Sequence, residues 1–197
     1  MAGRPTNRDE RYTQVMEALV RCVARYGLDG ASLSQISKEA GLTRPLIRHH
    51  IGNREDMIAG LTNYVLNSFD DQTAAMIAAL PKDGTLDALV DLLFSESAIT
   101  ETDLILAFAA LTARASKDVE LQQRCRASLL AFEAAIFDIL KQEDTDADDV
   151  KLGSAAHGIT ALYFNHSSLA PLNMPQAWKT QAYAVARNLL KELDPST

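Results

Sequence analysis

The sequence predicts an all-α protein of nine helices, and three observations support this prediction. Apolar residues recur in segment after segment with the three- and four-residue spacing of amphipathic helices. No stretch alternates between apolar and polar residues with the period of two that strands require. Of the 197 residues, 47% are hydrophobic and 23% are charged, a globular composition that excludes a disordered or fibrous chain.

The first helix is predicted from about Arg8 to Tyr26, where Gly27 and the following Asp29-Gly30 pair end it. Its apolar stripe repeats at helical spacing and consists of Tyr12, Val15, Met16, Leu19, Val20, Val23 and Tyr26. The stripe indicates one face packed against the rest of the protein.

Two short helices are predicted next. Ser32 and Gln35 form the pattern of a capping box, which opens the second helix. Gly41 ends that helix, because glycine can adopt the left-handed conformation of a tight stop. Thr43 is the predicted N-cap of the third helix, and Pro45 falls in its first turn, where a missing N–H costs little.

A long fourth helix is predicted from an N-cap at Asn53 to about Leu80, where the sequence Pro81-Lys82-Asp83-Gly84 breaks it. Five more helical segments follow, at roughly Thr85–Ser97, Glu101–Ser116, Asp118–Glu143, Asp148–Ser167 and Gln176–Leu193. The run from Leu104 to Leu111 is apolar all round, which predicts a central buried helix.

The charge is distributed unevenly. The net charge of −7 alone would argue against a nucleic-acid partner. Residues 1–60, however, hold nine Lys and Arg against seven Asp and Glu, a balance of +2, and the remainder carries −9. Because the local field decides whether a surface attracts phosphate, the basic N-terminal segment remains a candidate for DNA binding.

The second and third helices have the arrangement of a helix-turn-helix, in which the second helix of the pair lies in the major groove of DNA. A small apolar core is expected to set their crossing angle, formed by Ile36, Ala40, Leu42, Ile47 and Ile51. Arg44, Pro45, Arg48 and His49 are then expected to face outward.

These outward residues suit base recognition. Arg44 at the start of the third helix can reach guanine acceptors or a phosphate, and Arg48 lies one turn further on the same face. Pro45 and Leu46 offer apolar surface for a thymine methyl.

Contacts to the DNA backbone are expected around them. Ser32, Thr43 and the helix N-termini can bind phosphate oxygens, and Arg54 in the fourth helix can hold the backbone beside them. Arg4 in the leading Gly3-Arg4-Pro5 element suits a minor groove. A disordered terminus with a chance arginine is the alternative reading of that element.

The order of these residues adds a family resemblance. Residues 30–33 read GASL and residues 36–57 read ISKEAGLTRPLIRHHIGNREDM. Over about residues 8–60 the chain resembles the N-terminal domain of TetR-family transcriptional regulators. The resemblance implies the nine-helix family architecture, with a DNA-binding domain at 1–55 and a ligand-binding and dimerisation domain at 56–197.

The resemblance also implies roles for single residues. Ser32, His50 and Arg54 fall where the family contacts phosphate, and Arg44 falls where it reaches bases or backbone. Arg48 stands where the family usually has tyrosine. An arginine there can still bind phosphate bidentately.

For the C-terminal part, the resemblance implies a ligand pocket and a dimer interface. Candidate ligand contacts by residue type are Phe108, Arg114, Phe132, His157 and Asn165. Candidate interface residues, which could build a four-helix bundle between two subunits, are Leu162, Tyr183, Ala186, Leu189 and Leu190. Packing of the same interface residues within one chain is the alternative.

No catalytic motif occurs, and the two cysteines, Cys22 and Cys125, form no metal or disulfide framework. We therefore expect neither an enzyme nor a bound metal or other cofactor. No apolar run approaches the roughly 20 residues of a membrane span, and no signal peptide pattern is present, so a cytoplasmic protein is expected.

The prediction is a homodimeric repressor that binds a palindromic double-stranded DNA operator and is released by a small-molecule effector. The alternative is a helical small-molecule-binding or interaction protein that does not bind DNA.

Overall fold

The structure is a computed structural model that describes residues 7–94, 102–143 and 147–193. Within those ranges the chain forms nine α-helices and no strand, as the sequence predicts. The helices are α1 Asn7–Gly30, α2 Leu33–Ala40, α3 Arg44–Ile51, α4 Arg54–Ala79, α5 Thr85–Phe94, α6 Thr102–Ala115, α7 Val119–Gln142, α8 Asp149–Ser168 and α9 Gln176–Lys191. A 3-10 turn, Ala170–Leu172, lies between α8 and α9.

The chain divides into two compact units. The first unit contains residues 7–68 and Asp103–Cys125, and the second contains the described residues of Phe69–Thr102 and Arg126–Thr197. Helices α4 and α7 contribute to both units. The functional boundary predicted after residue 55 stays a prediction.

The glycine and capping predictions for α1 and α2 are confirmed. Gly27 has φ 72° and ψ 169°, which interrupts α1 one residue after its predicted end. The capping box at α2 is complete, because the Ser32 hydroxyl accepts from the Gln35 N–H and the Gln35 side chain accepts from the Ser32 N–H. Gly41 then ends α2 in the left-handed region, with φ 65° and ψ 28°.

The starts of α3 and α4 differ. Thr43 is the N-cap of α3 by position, but its side chain makes no capping hydrogen bond. A capping hydroxyl bonds the second or third N–H of the helix, and Pro45 removes one of the two. At α4 the Asn53 side chain does accept, from the N–H groups of Glu55 at 2.8 Å and Asp56 at 3.0 Å.

Each unit has its own apolar core. Val15, Leu19 and Leu61 are fully buried in the first unit, and Leu89 and Ile159 in the second. These side chains come from α1 and α4 in the first core and from α5 and α8 in the second. None of the helices in the described ranges has the length and apolarity that crossing a bilayer demands.

The prediction that α6 is buried on all sides is wrong. Leu104, Ile105, Phe108 and Leu111 are buried, but Ala109 is exposed. An alanine has little apolar surface, so its exposure costs little, and an apolar run does not by itself determine how many neighbours surround a helix.

Candidate nucleic-acid interface and ligand cavity

The geometry of α2 and α3 is set by the apolar residues between them. Ile36 and Ile47 are fully buried, and Ala40 and Ile51 are buried to more than nine-tenths. These four confirm the predicted small core, whereas Leu42 in the turn is only half-buried. Because Ile47 and Ile51 lie one turn apart, they direct one face of α3 inward and leave the other face to solvent.

Polar contacts fix α2 on α1. The Gln14 amide donates to the Ala40 carbonyl at 2.8 Å, which satisfies an acceptor at the C-terminal end of α2. The Arg21 guanidinium pairs with Glu39 at 2.7 Å. These side chains connect residues 18 and 26 positions apart in the sequence.

The outward face of α3 is where the sequence predicts DNA contacts, and we call residues 43–46 and 48–50 together the α3 surface. Its exposed members are Thr43, Arg44, Pro45, Arg48 and His49, and Leu46 and His50 are half-buried. The structure therefore brings all of these predicted residues to one short helix and its N-cap. Arg4 lies outside the described residues.

A hydrogen bond that sequence reasoning missed holds Arg44. Its Nη2 donates to the Ser34 hydroxyl oxygen at 2.6 Å, across the turn between α2 and α3. Both side chains are otherwise exposed. Ser34 therefore restrains a residue that is predicted to reach the bases.

Two predicted phosphate ligands already have partners within the chain. The Arg54 guanidinium donates to the Leu28 carbonyl at 2.6 Å and to Asp29 at 3.0 Å, so it ties the start of α4 to the end of α1. The Ser32 hydroxyl is engaged in the capping box with Gln35. Their phosphate contacts stay predictions.

A cavity of about 360 Å³ lies beside the α3 surface, where the start of α1 meets α3. It is lined by Arg8, Asp9, Tyr12, His49 and His50. Burial lowers the pKa of His50, and the positive charges of His49 and Arg8 lower this pKa further. Arg8 and Tyr12 were not predicted as site residues. Their spacing of four residues on α1 was the available signal, since it places them on one face.

A second cavity of about 280 Å³ lies within the second unit. Helix α4 supplies one part of its lining, with Phe69, Gln72, Thr73 and Met76 and the short side chains of Ala75 and Ala79. Helices α5, α7 and α8 supply the remainder, which is Leu92, Leu93, Phe132 and Tyr163.

Of the five predicted ligand contacts, only Phe132 lines this cavity. Phe108 is buried and Arg114 pairs with Glu55 at 3.2 Å, both in the first unit. His157 has a side chain that is 73% exposed and lies 3.0 Å from Glu133, and Asn165 is exposed. No sequence pattern indicated the α4 lining, because this lining depends on how α4 packs.

The predicted dimer residues pack largely within the chain. Ala186 is fully buried and Leu190 is 6% exposed, which corrects their assignment to an interface between subunits. Leu189 lies against Gly158, where an added Cβ would come within 2.7 Å of the leucine Cδ1. The physical reason is that α9 packs on α5 and α8 of its own chain.

The remaining two interface candidates are less buried. The Tyr183 hydroxyl donates to Asp91 at 2.5 Å and accepts from Arg187 at 2.9 Å, which joins α9 to α5. Leu162 on α8 is half-buried. Their interface role stays a prediction.

Comparison with known proteins identifies the N-terminal region. The sequence model of the family described as bacterial regulatory proteins, tetR family, matches residues 15–61. The chain is 32% identical over 114 residues to the HTH-type transcriptional regulator PksA of Bacillus subtilis strain 168, which is 56% of this chain and 55% of that protein. It is 27% identical over 176 residues to the HTH-type transcriptional regulator BetI of Agrobacterium fabrum, covering 85% and 82% of the two chains. The alignments to PksA and to the regulator BetI of Vibrio parahaemolyticus cover only 55% and 42% of those two proteins.

Solved structures show the same fold over nearly the whole chain. A TetR-family transcriptional regulator from Cytophaga hutchinsonii superposes with a TM-score of 0.71 and 17% identity, covering 98% of each chain. A transcriptional regulator from Rhodococcus sp. Rha1 gives a TM-score of 0.67 and 19% identity, covering 92% of this chain and 96% of the other.

The all-α fold and the exposed second helix of the α2–α3 pair are similar to those of one class of protein, the helix-turn-helix transcriptional regulators. Within that class, residues 15–61 match the tetR family model, and the fold is similar to that of a solved TetR-family regulator. The matched relatives are named as transcriptional regulators. In the described ranges, no group of three or more His, Cys, Asp or Glu is placed to hold a metal ion.

Proposed function

We propose that this regulator is a cytoplasmic repressor that binds a palindromic operator as a homodimer and is released by a small-molecule effector. The main support for this proposal is the α3 surface. Its two arginines, Arg44 and Arg48, are exposed on a helix whose opposite side is anchored by the buried Ile47 and Ile51. A helix that is fixed on one face and cationic on the other suits docking into a major groove.

Arg44 and Arg48 are proposed to contact bases or phosphates from the same face of α3. Bidentate hydrogen bonds from arginine to guanine are the commonest specific contact in major grooves. Pro45 and Leu46 are proposed to meet a thymine methyl. Thr43, which makes no capping hydrogen bond, has a hydroxyl that can bind a phosphate oxygen.

Further backbone contacts are proposed around this centre. His50 is half-buried at the rim of the α3 surface, and His49 is exposed beside it. Ser32 and Arg54 are proposed as phosphate ligands that would exchange or share their present partners. Arg4 is proposed to enter a minor groove.

A palindromic operator requires two recognition helices, because each of its two half-sites, one helical turn apart, is bound by one such helix. TetR regulators dimerise, and α9 exposes two large apolar side chains, Trp178 at 38% and Val185 at 47%. We propose that this exposed side of α9 contributes to the interface, in place of the buried Ala186 and Leu190.

The interface can be tested with a matched pair of substitutions. Val185→Glu is expected to give a monomer whose operator affinity falls by about 100-fold. In a monomer the second recognition helix is no longer held near its half-site, so its high effective concentration is lost. Val150→Glu is the control, since Val150 on α8 is 77% exposed and its charge is tolerated if it lies outside the interface. Sedimentation velocity gives the oligomeric state, and a dimer that persists in Val185→Glu would place the interface elsewhere.

The effector is proposed to bind the second-unit cavity and to act through α4. This helix carries cavity residues from Phe69 to Ala79, and it begins at Arg54, three residues after α3 ends. A shift of α4 would change the distance between the two α3 helices of the dimer, so that both can no longer bind their half-sites at the same time. The ligand can do this only by binding the two conformations with unequal affinity.

The decisive experiment on the function is selection of bound duplexes from a random pool. The expected product is a palindrome with half-sites about one helical turn apart. Binding to that duplex should weaken steeply as salt rises, because phosphate contacts release counterions. A pool without a common sequence, or an affinity that salt does not change, would favour the alternative of a helical protein that does not bind DNA.

A further inference from the structure

We propose that the effector is a small, uncharged molecule with a flat ring system and one hydrogen-bonding group. This inference rests on the proposed function, since it assigns a chemical class to the ligand of the second-unit cavity. Four features of the lining support it: volume, charge, aromatic content and the position of one amide.

The size of the cavity selects a small ligand. Its volume of about 280 Å³ lies just below the range for ligand pockets, roughly 300–1,000 Å³. The cavity exists because α4 places the short side chains of Ala75 and Ala79 on its lining face. Both alanines are exposed, so they mark the side of the cavity that is open to solvent.

The lining offers no partner to a charged group of a ligand. None of the cavity-lining residues in the described part of the chain carries a formal charge. Burying a carboxylate or an ammonium group without a partner of opposite charge is costly. The part of the ligand inside the cavity is therefore neutral.

The aromatic rings select a flat ligand. Phe132 and Tyr163 stack with ring centroids 5.5 Å apart and an interplanar angle of 27°. Phe164 supports Phe132 from behind at 5.9 Å in an edge-to-face contact, and it lies 6.1 Å from Phe69. Because these rings hold one another in place, the wall is formed before a ligand arrives, and it offers aromatic surface to another ring.

The Gln72 amide in the lining selects a hydrogen-bonding group on the ligand. Thr73 has a hydroxyl that already donates to the Phe69 carbonyl at 2.8 Å. Gln72 is half-buried in the lining, and its amide offers both donors and an acceptor. A hydroxyl or carbonyl group on the ligand fits this position, and Gln72 would determine specificity.

The test uses naphthalene-based probes that share a shape and differ in charge: 2-naphthol, 2-naphthoate and 2-naphthylmethylammonium. Binding is followed in the full-length protein by the ¹³C-methyl resonance of Met76, which lines the cavity. Met16 and Met57 are buried in the first unit and serve as internal controls. We expect 2-naphthol to shift the Met76 signal and to bind about tenfold or more tightly than either charged probe.

Two variants locate the probe. Ala75→Phe fills the cavity from its solvent side without entering the core, and it is expected to abolish the shift at Met76. Gln72→Leu is expected to weaken the binding of 2-naphthol by about tenfold. The binding of naphthalene, which has no polar group, should stay unchanged. An equal effect of Gln72→Leu on both ligands would overturn the role of the amide.

The outcomes separate this inference from the proposed function. A charged probe that binds as tightly as 2-naphthol, and is blocked by Ala75→Phe, overturns the ligand class and leaves an effector site. A 2-naphthol complex that keeps full operator affinity overturns release by this ligand class and leaves the binding preference standing. If none of the three probes shifts Met76, the inference is wrong.

Discussion

The α3 surface and the second-unit cavity are built from the sequence in opposite ways. The α3 surface comes from one short run, residues 43–50 without the buried Ile47, and it exposes two arginines and a histidine. The cavity draws its lining from α4, α5, α7 and α8, between Phe69 and Tyr163, and that lining carries no formal charge in the described part of the chain.

The difference fits what each region is proposed to bind. A polyanion is met at the surface, where charged side chains stay hydrated until phosphate replaces water. A neutral ligand is bound by removing apolar surface from water, which requires several helices to close around it. The same helical fold therefore serves one region through local turn chemistry and the other through packing between distant segments.

The largest effect is expected from weakening the anchor of the α3 surface. Ile47→Ala removes a fully buried side chain between α2 and α3 and is expected to lower the free energy of unfolding by about 2–5 kcal/mol. Urea denaturation measures this loss. A loss below about 1 kcal/mol would show that α3 does not depend on this core. The comparison with the cavity would then be wrong, because the α3 surface would not be positioned by its local packing.

The arginines of the α3 surface should affect binding rather than stability. Arg44→Ala and Arg48→Ala are each expected to weaken operator binding by about 1–3 kcal/mol, because each removes a charge-assisted contact. Arg126→Ala, which removes an exposed cation from the second unit, is the control and should leave affinity nearly unchanged. Fluorescence anisotropy with the selected duplex provides the measurement. Full affinity in both α3 variants would refute the role given to this helix.

Two glycines offer a matched test of local backbone control. An added Cβ meets nothing within 4 Å at either Gly41 or Gly153, but only Gly41 has a positive φ. Gly41→Ala is expected to destabilise by about 1–2 kcal/mol through strain alone. Gly153→Ala lies inside α8 and is expected to stabilise by up to about 1 kcal/mol. Thermal unfolding measures both, and equal signs for the two changes would contradict the assignment of the Gly41 turn.

The smallest effect is expected from pH. The pKa of His50 is lowered by burial and by electrostatic interaction with His49 and Arg8, so the neutral form of His50 dominates near pH 7 in the free protein. A bound phosphate favours the charged form, so the pKa rises in the complex and DNA binding takes up a proton. Operator affinity should therefore increase as pH falls through the pKa of the complex and level off below the pKa of the free protein.

The expected gain is about threefold to tenfold in affinity over that window. His50→Gln should flatten the profile, whereas His157→Gln, a change at an exposed histidine in the second unit, should leave it intact. A profile that stays unchanged in His50→Gln would remove His50 from the DNA contacts.

The sequence predicts local features well and long-range features poorly, for a physical reason. The Ser32–Gln35 capping box, the left-handed Gly41 and the Asn53 cap depend on residues at most three positions apart, so the residue types suffice. The bond from Arg44 to Ser34 spans ten residues and depends on the angle between two helices. Residue types do not determine that angle, so the bond was missed.

The same limit explains the cavity and the dimer. Phe132 was predicted as a ligand contact because it is aromatic, but Gln72 became a candidate only when α4 was placed beside Phe132 and Tyr163. Ala186 and Leu190 have the small and apolar side chains that suit an interface between subunits. The same properties suit packing within one chain, and the structure assigns them there.

The contact between Arg44 and Ser34 has a consequence for the entropy of recognition. A free arginine side chain loses up to about 2 kcal/mol of rotamer freedom when it is immobilised. The 2.6 Å hydrogen bond restricts Arg44 before any duplex is present, so part of this loss already belongs to the free protein. A base contact by Arg44 from that restricted state therefore loses less side-chain conformational entropy.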